Sequence, residues 1–324
     1  MNTRLSQLLQ DWALRDWGTR DEDFLDHAAI QYLGRIAFDD YEPAQFERFD
    51  ERLDRWLHNL DNEDDQQTLF LLLNYLFFIG RPEFDSLYRA AYNGNFLRWL
   101  IDQLDVDLID PQSLRALEKG AATTWFCPIS DSMRINSFLK ANGLAGHSHR
   151  PDWRSLRKFA DPDKVLRYVE DNHIQRITLL EDFVGSGTQI HSAITFAASI
   201  SNDIPFLVVP LVVCPDGDKV GLDFAQRHAN ISYEAVLKIS PDALIKPDAS
   251  ANEPQLFQAV RDLIPRVQEK LRNPAPDRES QRYHGYKGTG AVVALYSNCP
   301  NNSLPIIHDE TAHWQPLFPR IGRP

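Results

Sequence analysis

The chain is poor in cysteine, in positive charge and in long apolar runs, and each shortage closes off a class of protein. Its three cysteines, Cys127, Cys214 and Cys299, are odd in number and far apart. They offer neither a disulfide framework nor the close pairs of a zinc site, which suits a cytoplasmic protein. The longest apolar stretch, residues 69–79, is interrupted by Asn74 and is too short to span a bilayer, so no membrane role is expected. Asp11 and Asp16 stand where a secretory leader would be apolar. The 34 lysines and arginines are outnumbered by 46 acids, giving a formal net charge of −12. That balance disfavours direct nonspecific binding to nucleic acid. No internal repeat is visible.

What is present divides unevenly. Residues 1–120 carry 24 of the 46 acids but only 12 of the 34 basic residues, so the whole charge deficit lies there and residues 121–324 are balanced. Strand signals are scarce in the acidic part. Leu5, Leu8, Leu9, Trp12 and Leu14 suggest one amphipathic helix, and Phe24, Ala28, Ile30, Tyr32 and Leu33 a second. Phe46, Phe49, Leu53, Trp56, Leu57 and Leu60 recur at three and four residues after Pro43. Residues 69–79 read as a buried helix, with two strands as the alternative. A short helix over 111–119 closes the segment. The expected organisation is a helical accessory or partner-docking module over 1–120 and an α/β domain over 121–324. The module's acids read first as solvated helix faces, and second as a docking surface for a basic protein partner.

From Ala121 onward, strand, polar loop and helix alternate. Strands are expected near 123–126, 177–180, 206–213, 233–239 and 291–296, and helices over 133–140, 162–168, 188–200 and 220–228. This pattern predicts an α/β fold with a mostly parallel sheet flanked by helices. Ligands of such sheets sit outside the carboxyl ends of the strands.

Residues 174–200 organise this domain. An apolar strand containing Ile177, Leu179 and Leu180 leads into Glu181 and Asp182. A turn follows through Val184, Gly185, Ser186 and Gly187, and a helix begins at Thr188. The glycines permit positive φ. Loop amides and the helix amino terminus would converge on an anion, most naturally a phosphate. The adjacent acids suit a polyhydroxylated phosphate ester accompanied by a metal, since acids alone repel an anion. No lysine follows the glycines, which excludes a Walker A loop, and the spacing is not that of a dinucleotide fingerprint.

One strand–loop–helix unit earlier, Ser130, Asp131, Ser132 and Arg134 occupy a second loop at a strand end. Residues 143–160 gather His147, His149, Arg150, Arg154, Arg157 and Lys158. That stretch reads as a surface loop, or as a lid supplying cations to a polyphosphate. Two histidines with no third ligand nearby make a weak case for zinc. Later, Gly285, Gly288 and Gly290 surround Tyr286 and Lys287 in a polar loop that either approaches the next strand or closes over a ligand. The amides of Asn301 and Asn302 suit reading a ring edge or capping a turn.

The stretch LLEDFVGSGTQI resembles the PRPP-binding motif of type I phosphoribosyltransferases. The resemblance implies that Glu181 and Asp182 hold the ribose hydroxyls and act in catalysis. It also implies that residues 184–188 cradle the 5′-phosphate. The family's usual first acid is aspartate, so Glu181 departs from the pattern. Ser130, Asp131, Ser132 and Arg134 match the position of the pyrophosphate loop, although Asp131 stands where a basic residue or glycine is usual. A diphosphate bridged by magnesium (Mg2+) tolerates Asp131, so Asp131 and Asp182 become the implied metal ligands. The segments GYKGTG, NCPNNSLP and WQPLFPR further resemble phosphoribosyltransferase-like domains of bacterial conflict and anti-phage systems. The implied function is a phosphoribosyltransferase-like enzyme acting on PRPP or a nucleotide as a defence effector, with the acceptor open. Tyr286 and Lys287 join its expected ligand residues. The alternatives are a catalytically inactive nucleotide-binding regulator and a structural partner protein.

Overall fold

Two helices of this chain start at short polar caps, Asn62 and Asp161. In the computed structural model, residues 3–14, 34, 37–144, 161–271 and 283–322 are described. They fall into two compact units, one made of residues 1–81 with 240–324 and the other of residues 82–239.

The first unit opens with helix α1 (Thr3–Leu14), which buries Leu5, Leu9 and Trp12. The helix expected over 24–33 lies outside the described residues. Helix α2 (Phe49–Leu57) carries the expected three-and-four periodicity, burying Phe49, Leu53, Trp56 and Leu57. Phe46 falls before this helix and is 93% exposed, so the apolar pattern does not extend back to it. Helix α3 (Glu63–Leu72) is capped by Asn62, whose side chain accepts from the amides of Asp64 and Asp65. The apolar run 69–79 is not one helix. It leaves α3, passes through a short 3-10 turn (Leu73–Tyr75), and ends as strand β1 (Phe77–Ile79). Consecutive aromatic and β-branched residues before Gly80 favour that extended ending.

The second unit begins with α4 (Arg81–Arg89), a π-helical segment (Ala90–Phe96), α5 (Leu97–Leu104) and α6 (Ser113–Ala122). Strand β2 (Thr124–Pro128), helix α7 (Ile135–Ala141) and helix α8 (Pro162–Asp171) follow. The side chain of Asp161 caps α8 by accepting from the Lys164 amide, with Pro162 at the first helical position. Next come β3 (Arg176–Val184), α9 (Thr188–Ile200), β4 (Phe206–Val213) and α10 (Pro215–Arg227). Two short strands, β5 (Ile231–Tyr233) and β6 (Leu237–Lys238), complete the sheet. Its order is β2-β3-β4-β5, with β6 also on β4, and every pair is parallel. The single strand expected over 233–239 is therefore split, although amides of Glu234 and Val236 continue to bond carbonyls of Val208 and Pro210 across the gap. The sheet is the predicted mostly parallel one, with β3 and β4 buried along their whole length.

Strands that neighbour each other in sequence order, joined by right-handed crossovers, place their connecting helices on one face. Ile177, Leu179, Phe206 and Val208 accordingly share a core with Val165 and Val169 of α8, Ile190 and Ile194 of α9, and Phe224 of α10. The opposite face needs other cover. It comes largely from the segment before β2: Phe96 meets Phe126 of β2 with ring centroids 4.7 Å apart, and Trp99 donates to Ser232 Oγ at 3.1 Å. Phe138 of α7 packs there too, 5.5 Å from Phe126. The packing division thus differs from the boundary expected at residue 120. Residues 82–120 pack with the α/β sheet because one of its faces would otherwise be bare.

The chain then returns to the first unit through α11 (Gln255–Val267), β7 (Val293–Leu295) and the short α12 (Pro305–His308). β7 pairs parallel with β1 in a separate two-stranded sheet, Phe77 opposite Val293. The tail residues Trp314, Leu317 and Phe318 are buried in the core that holds Trp56, Phe49 and Phe257. Arg52 is buried with them, donating to the carbonyls of Phe38 and, at 3.1 Å, Leu317. Desolvation lowers its pKa to about 10.

Candidate functional site

β3 runs farther than the apolar pattern alone indicates. Glu181 and Asp182 are inside the strand, which ends at Val184. Glu181 is in register with Pro210 of β4, and Val184 with Val213. On its other side, Pro128 of β2 is in register with Leu180, and the Ile129 amide bonds the Leu180 carbonyl at 2.8 Å. The loop after β2 therefore leaves the sheet directly beside the acids.

Three hydrogen bonds join the loop to the acids, and a fourth lies within the loop. Ser130 donates its amide to Glu181 Oε2 at 2.9 Å and its hydroxyl to Glu181 Oε1 at 2.6 Å. The Ser130 and Ser132 hydroxyls lie 2.7 Å apart. Ser132 donates to Asp182 Oδ1 at 3.0 Å, and the same oxygen accepts the Phe183 amide at 2.8 Å. Glu181 is 1% exposed and Asp182 4%. Two neighbouring carboxylates in so dry a place need donors, and the serines supply them. Asp131 between them is exposed, and Arg134 is half-buried. Arg134 is the residue before α7, a helix without a side-chain cap, so Asp131 is not its N-cap.

The turn after β3 is tight. Gly187 has φ +79°, whereas Gly185 is not in the left-handed region. Gly187 is the cap residue of α9, Thr188 is its first helical residue, and no side chain caps the helix. The first-turn amides are thus left for solvent or a ligand. The hydroxyls of Ser186 and Thr188 are 3.1 Å apart, with Ser186 half-buried and Thr188 exposed. Behind the turn, α10 closes in: the Cys214 amide bonds the Val184 carbonyl at 2.8 Å, and a Cβ on Gly217 would lie 2.9 Å from the Gly185 carbonyl oxygen. Gly217 is a requirement that the sequence pattern did not reveal. In sequence, residues 214–217 read as a turn before a helix at 220, whereas Gly217 lies in the first turn of α10.

Ser130, Ser132, Glu181 and Asp182 are thus brought together, with Val184, Gly185, Ser186, Gly187 and Thr188 continuing from the same strand. Tyr286 and Lys287 belong to the first unit, whereas these groups belong to the second. Residues 285–290 form a tied turn. The side-chain amide of Asn302 donates to Thr289 Oγ1 at 2.9 Å and to the Tyr286 carbonyl at 3.3 Å. Lys287 lies over the Tyr286 ring, 5.8 Å from its centroid. Asn302 is therefore a turn brace. The basic stretch 145–160 lies outside the described residues.

Among the described residues no three histidine, cysteine or acidic side chains gather as a metal cage. The carboxylates present fit magnesium in its other mode, in which one or two acids and water share the ion with a ligand's phosphates.

A parallel sheet flanked by helices, with acids at one strand end and a left-handed glycine turn at a helix start, defines an α/β protein. The PRTase-CE family model matches residues 53–320, and the chain belongs to that family. This is consistent with a phosphoribosyltransferase-like fold of the kind found in some defence-system proteins. The match spans parts of both compact units and begins inside the segment expected to be a separate helical module. No curated protein and no solved structure matches the chain.

Among the described residues, no helix is long and apolar enough to cross a membrane.

Proposed function

We propose that this protein binds PRPP or a nucleotide at the carboxyl ends of β2 and β3 and acts on it as a phosphoribosyltransferase-like enzyme. The observation that carries the reading is the union of acids, serine loop and glycine-capped helix at one edge of a parallel sheet, in a PRTase-CE chain. The α9 amides and the Ser186 and Thr188 hydroxyls take the 5′-phosphate. Asp182 faces the ribose, and Ser132 and Arg134 face the diphosphate. Magnesium, when bound with the ligand through Asp131 and Asp182, offsets the charge of the phosphates. Breaking the bond at the anomeric carbon develops positive charge on the ribose, which a neighbouring carboxylate stabilises by position alone.

The test is calorimetry with PRPP and with nucleoside monophosphates, with and without magnesium, together with an assay for pyrophosphate or free base. Magnesium-dependent binding with product supports the enzyme. No binding of any of these ligands would reject the assignment. Binding without product selects the regulator instead, a reading favoured by the fact that the serines and acids already satisfy one another. The role as a defence effector and the basic protein partner of the acidic helices belong to the same proposal. Loss of phage resistance in Asp182→Asn cells, and co-purification of a basic protein, are their respective tests.

A further inference from the structure

Glu181 is the residue whose environment fits the family role least. Both of its carboxylate oxygens are engaged by one residue, Ser130, through amide and hydroxyl at 2.9 and 2.6 Å. It is 1% exposed, and Ser130 is 8% exposed. A carboxylate gripping a neighbouring loop at two points, out of contact with water, is poorly placed to receive ribose hydroxyls. The register explains why a glutamate stands here. Leu180 pairs with Pro128, so Ser130 lies beyond the paired end of β2, and the longer side chain spans from β3 to the loop that follows. Aspartate, one methylene shorter, would not hold both donors.

We infer that Glu181 is a positioning residue: it fixes the Ser130–Ser132 loop in the shape that receives the diphosphate, and leaves the ribose to Asp182. Ser130 passes the constraint to Ser132, whose hydroxyl is 2.7 Å away and itself reaches Asp182. The two arms of the site are in this way joined through hydroxyls. The inference rests on the ligand reading above, but its test separates the two.

The decisive variant is Glu181→Asp, which installs the acid usual at this position. The probes are magnesium pyrophosphate for one arm and ribose 5-phosphate for the other, titrated separately into parent, Glu181→Asp, Ser130→Ala and the double variant. Freeing the loop from its charge-assisted bonds is expected to weaken the ligand held by that loop by up to about the tenfold that one such bond represents. That loss is expected for pyrophosphate in Glu181→Asp, with a smaller loss for ribose 5-phosphate carried through Ser132 to Asp182. In the Ser130→Ala background the same substitution should add little. Weaker ribose 5-phosphate binding with pyrophosphate unchanged would overturn the inference, as would equal loss of both. Hydrogen exchange at the Ser130 amide provides a ligand-free readout. It should quicken in Glu181→Asp while amides elsewhere in β3 keep their protection. Unchanged exchange there rejects the grip. If the parent binds neither probe, the functional reading fails while the exchange result still decides the role of Glu181.

Discussion

A Cβ placed on Gly187 would stand 2.8 Å from Cγ2 of Val220 and 3.2 Å from Cα of Gly217. The turn at the head of α9 is therefore pressed against α10, and its φ of +79° is itself unfavourable for any other residue. Gly187→Ala is expected to cost at least about 1–2 kcal/mol from the backbone alone, plus displacement of Val220. Urea unfolding measures it. A bulky residue such as valine would confound folding with binding, so this position cannot serve by itself to test for a phosphate. Wild-type stability in Gly187→Ala would show that the turn is not held against α10.

Thr188 offers the cleaner probe. It is exposed, and its hydroxyl lies 3.1 Å from that of Ser186. Thr188→Ala should change stability by no more than about 0.5 kcal/mol. Affinity for PRPP or nucleotide should fall roughly tenfold as a hydrogen bond to a charged group is lost. Calorimetry alongside thermal melting decides. A variant that melts and binds like the parent removes Thr188 from the cradle.

His284 gives the first unit a dependence on pH. Its Nδ1 lies 2.8 Å from the Ile245 carbonyl, an arrangement in which a neutral ring donates. Burial lowers its pKa below the usual 6.5, outweighing the Ile245 carbonyl, which favours the protonated ring, and the nearby Arg261 adds to the lowering. As pH falls through 6.5 the unfolded chain takes up a proton that the folded one refuses, so stability declines toward the lower, folded value. Above 6.5 both states are neutral and the group contributes no slope. Urea midpoints for the parent should therefore fall faster between neutral and mildly acid pH than those of His284→Asn. Parallel pH profiles would show that His284 titrates alike in both states.

The parallel sheet was legible because its strands are short apolar runs separated by helix-length segments. That the acids, serines and glycines of the candidate site come together was legible because each lies within a few residues of a strand end. Other features depended on contacts distant in sequence. Phe96 and Trp99 look like ordinary amphipathic residues, and only the bare face of the sheet assigns them to β2 and β5. β1 pairs with a strand more than two hundred residues later, and no local pattern in Phe77, Phe78 or Ile79 reveals that partner. Asn302 has a polar amide equally suited to a ligand or a turn, and its bonds to Tyr286 and Thr289 choose the turn.

The acidic pair is the sharpest place to test the site. From sequence, Glu181→Gln with Asp182→Asn should leave the melting temperature equal or slightly raised, because two adjacent charges would be neutralised. The structure alters that expectation. The charges are already met by the Ser130 amide and hydroxyl, the Ser132 hydroxyl and the Phe183 amide. A glutamine keeps one acceptor but turns an NH2 group toward one of the Ser130 donors. That hydroxyl can rotate to accept, whereas the amide cannot, so the side chain will orient its oxygen toward the amide. The net change is the loss of charge-assisted bonds, each contributing about 1.5–3 kcal/mol, partly offset by relieved repulsion. The double variant should fold and melt below the parent. It should also lose magnesium-dependent turnover, or nucleotide binding if the protein is a regulator, because an amide in place of Asp182 cannot share a cation with the ligand's phosphates and an amide in place of Glu181 loosens the Ser130 loop. Thermal unfolding and ligand titration on one preparation separate the two effects. A double variant that binds and turns over PRPP or nucleotide like the parent would remove the acids from the site.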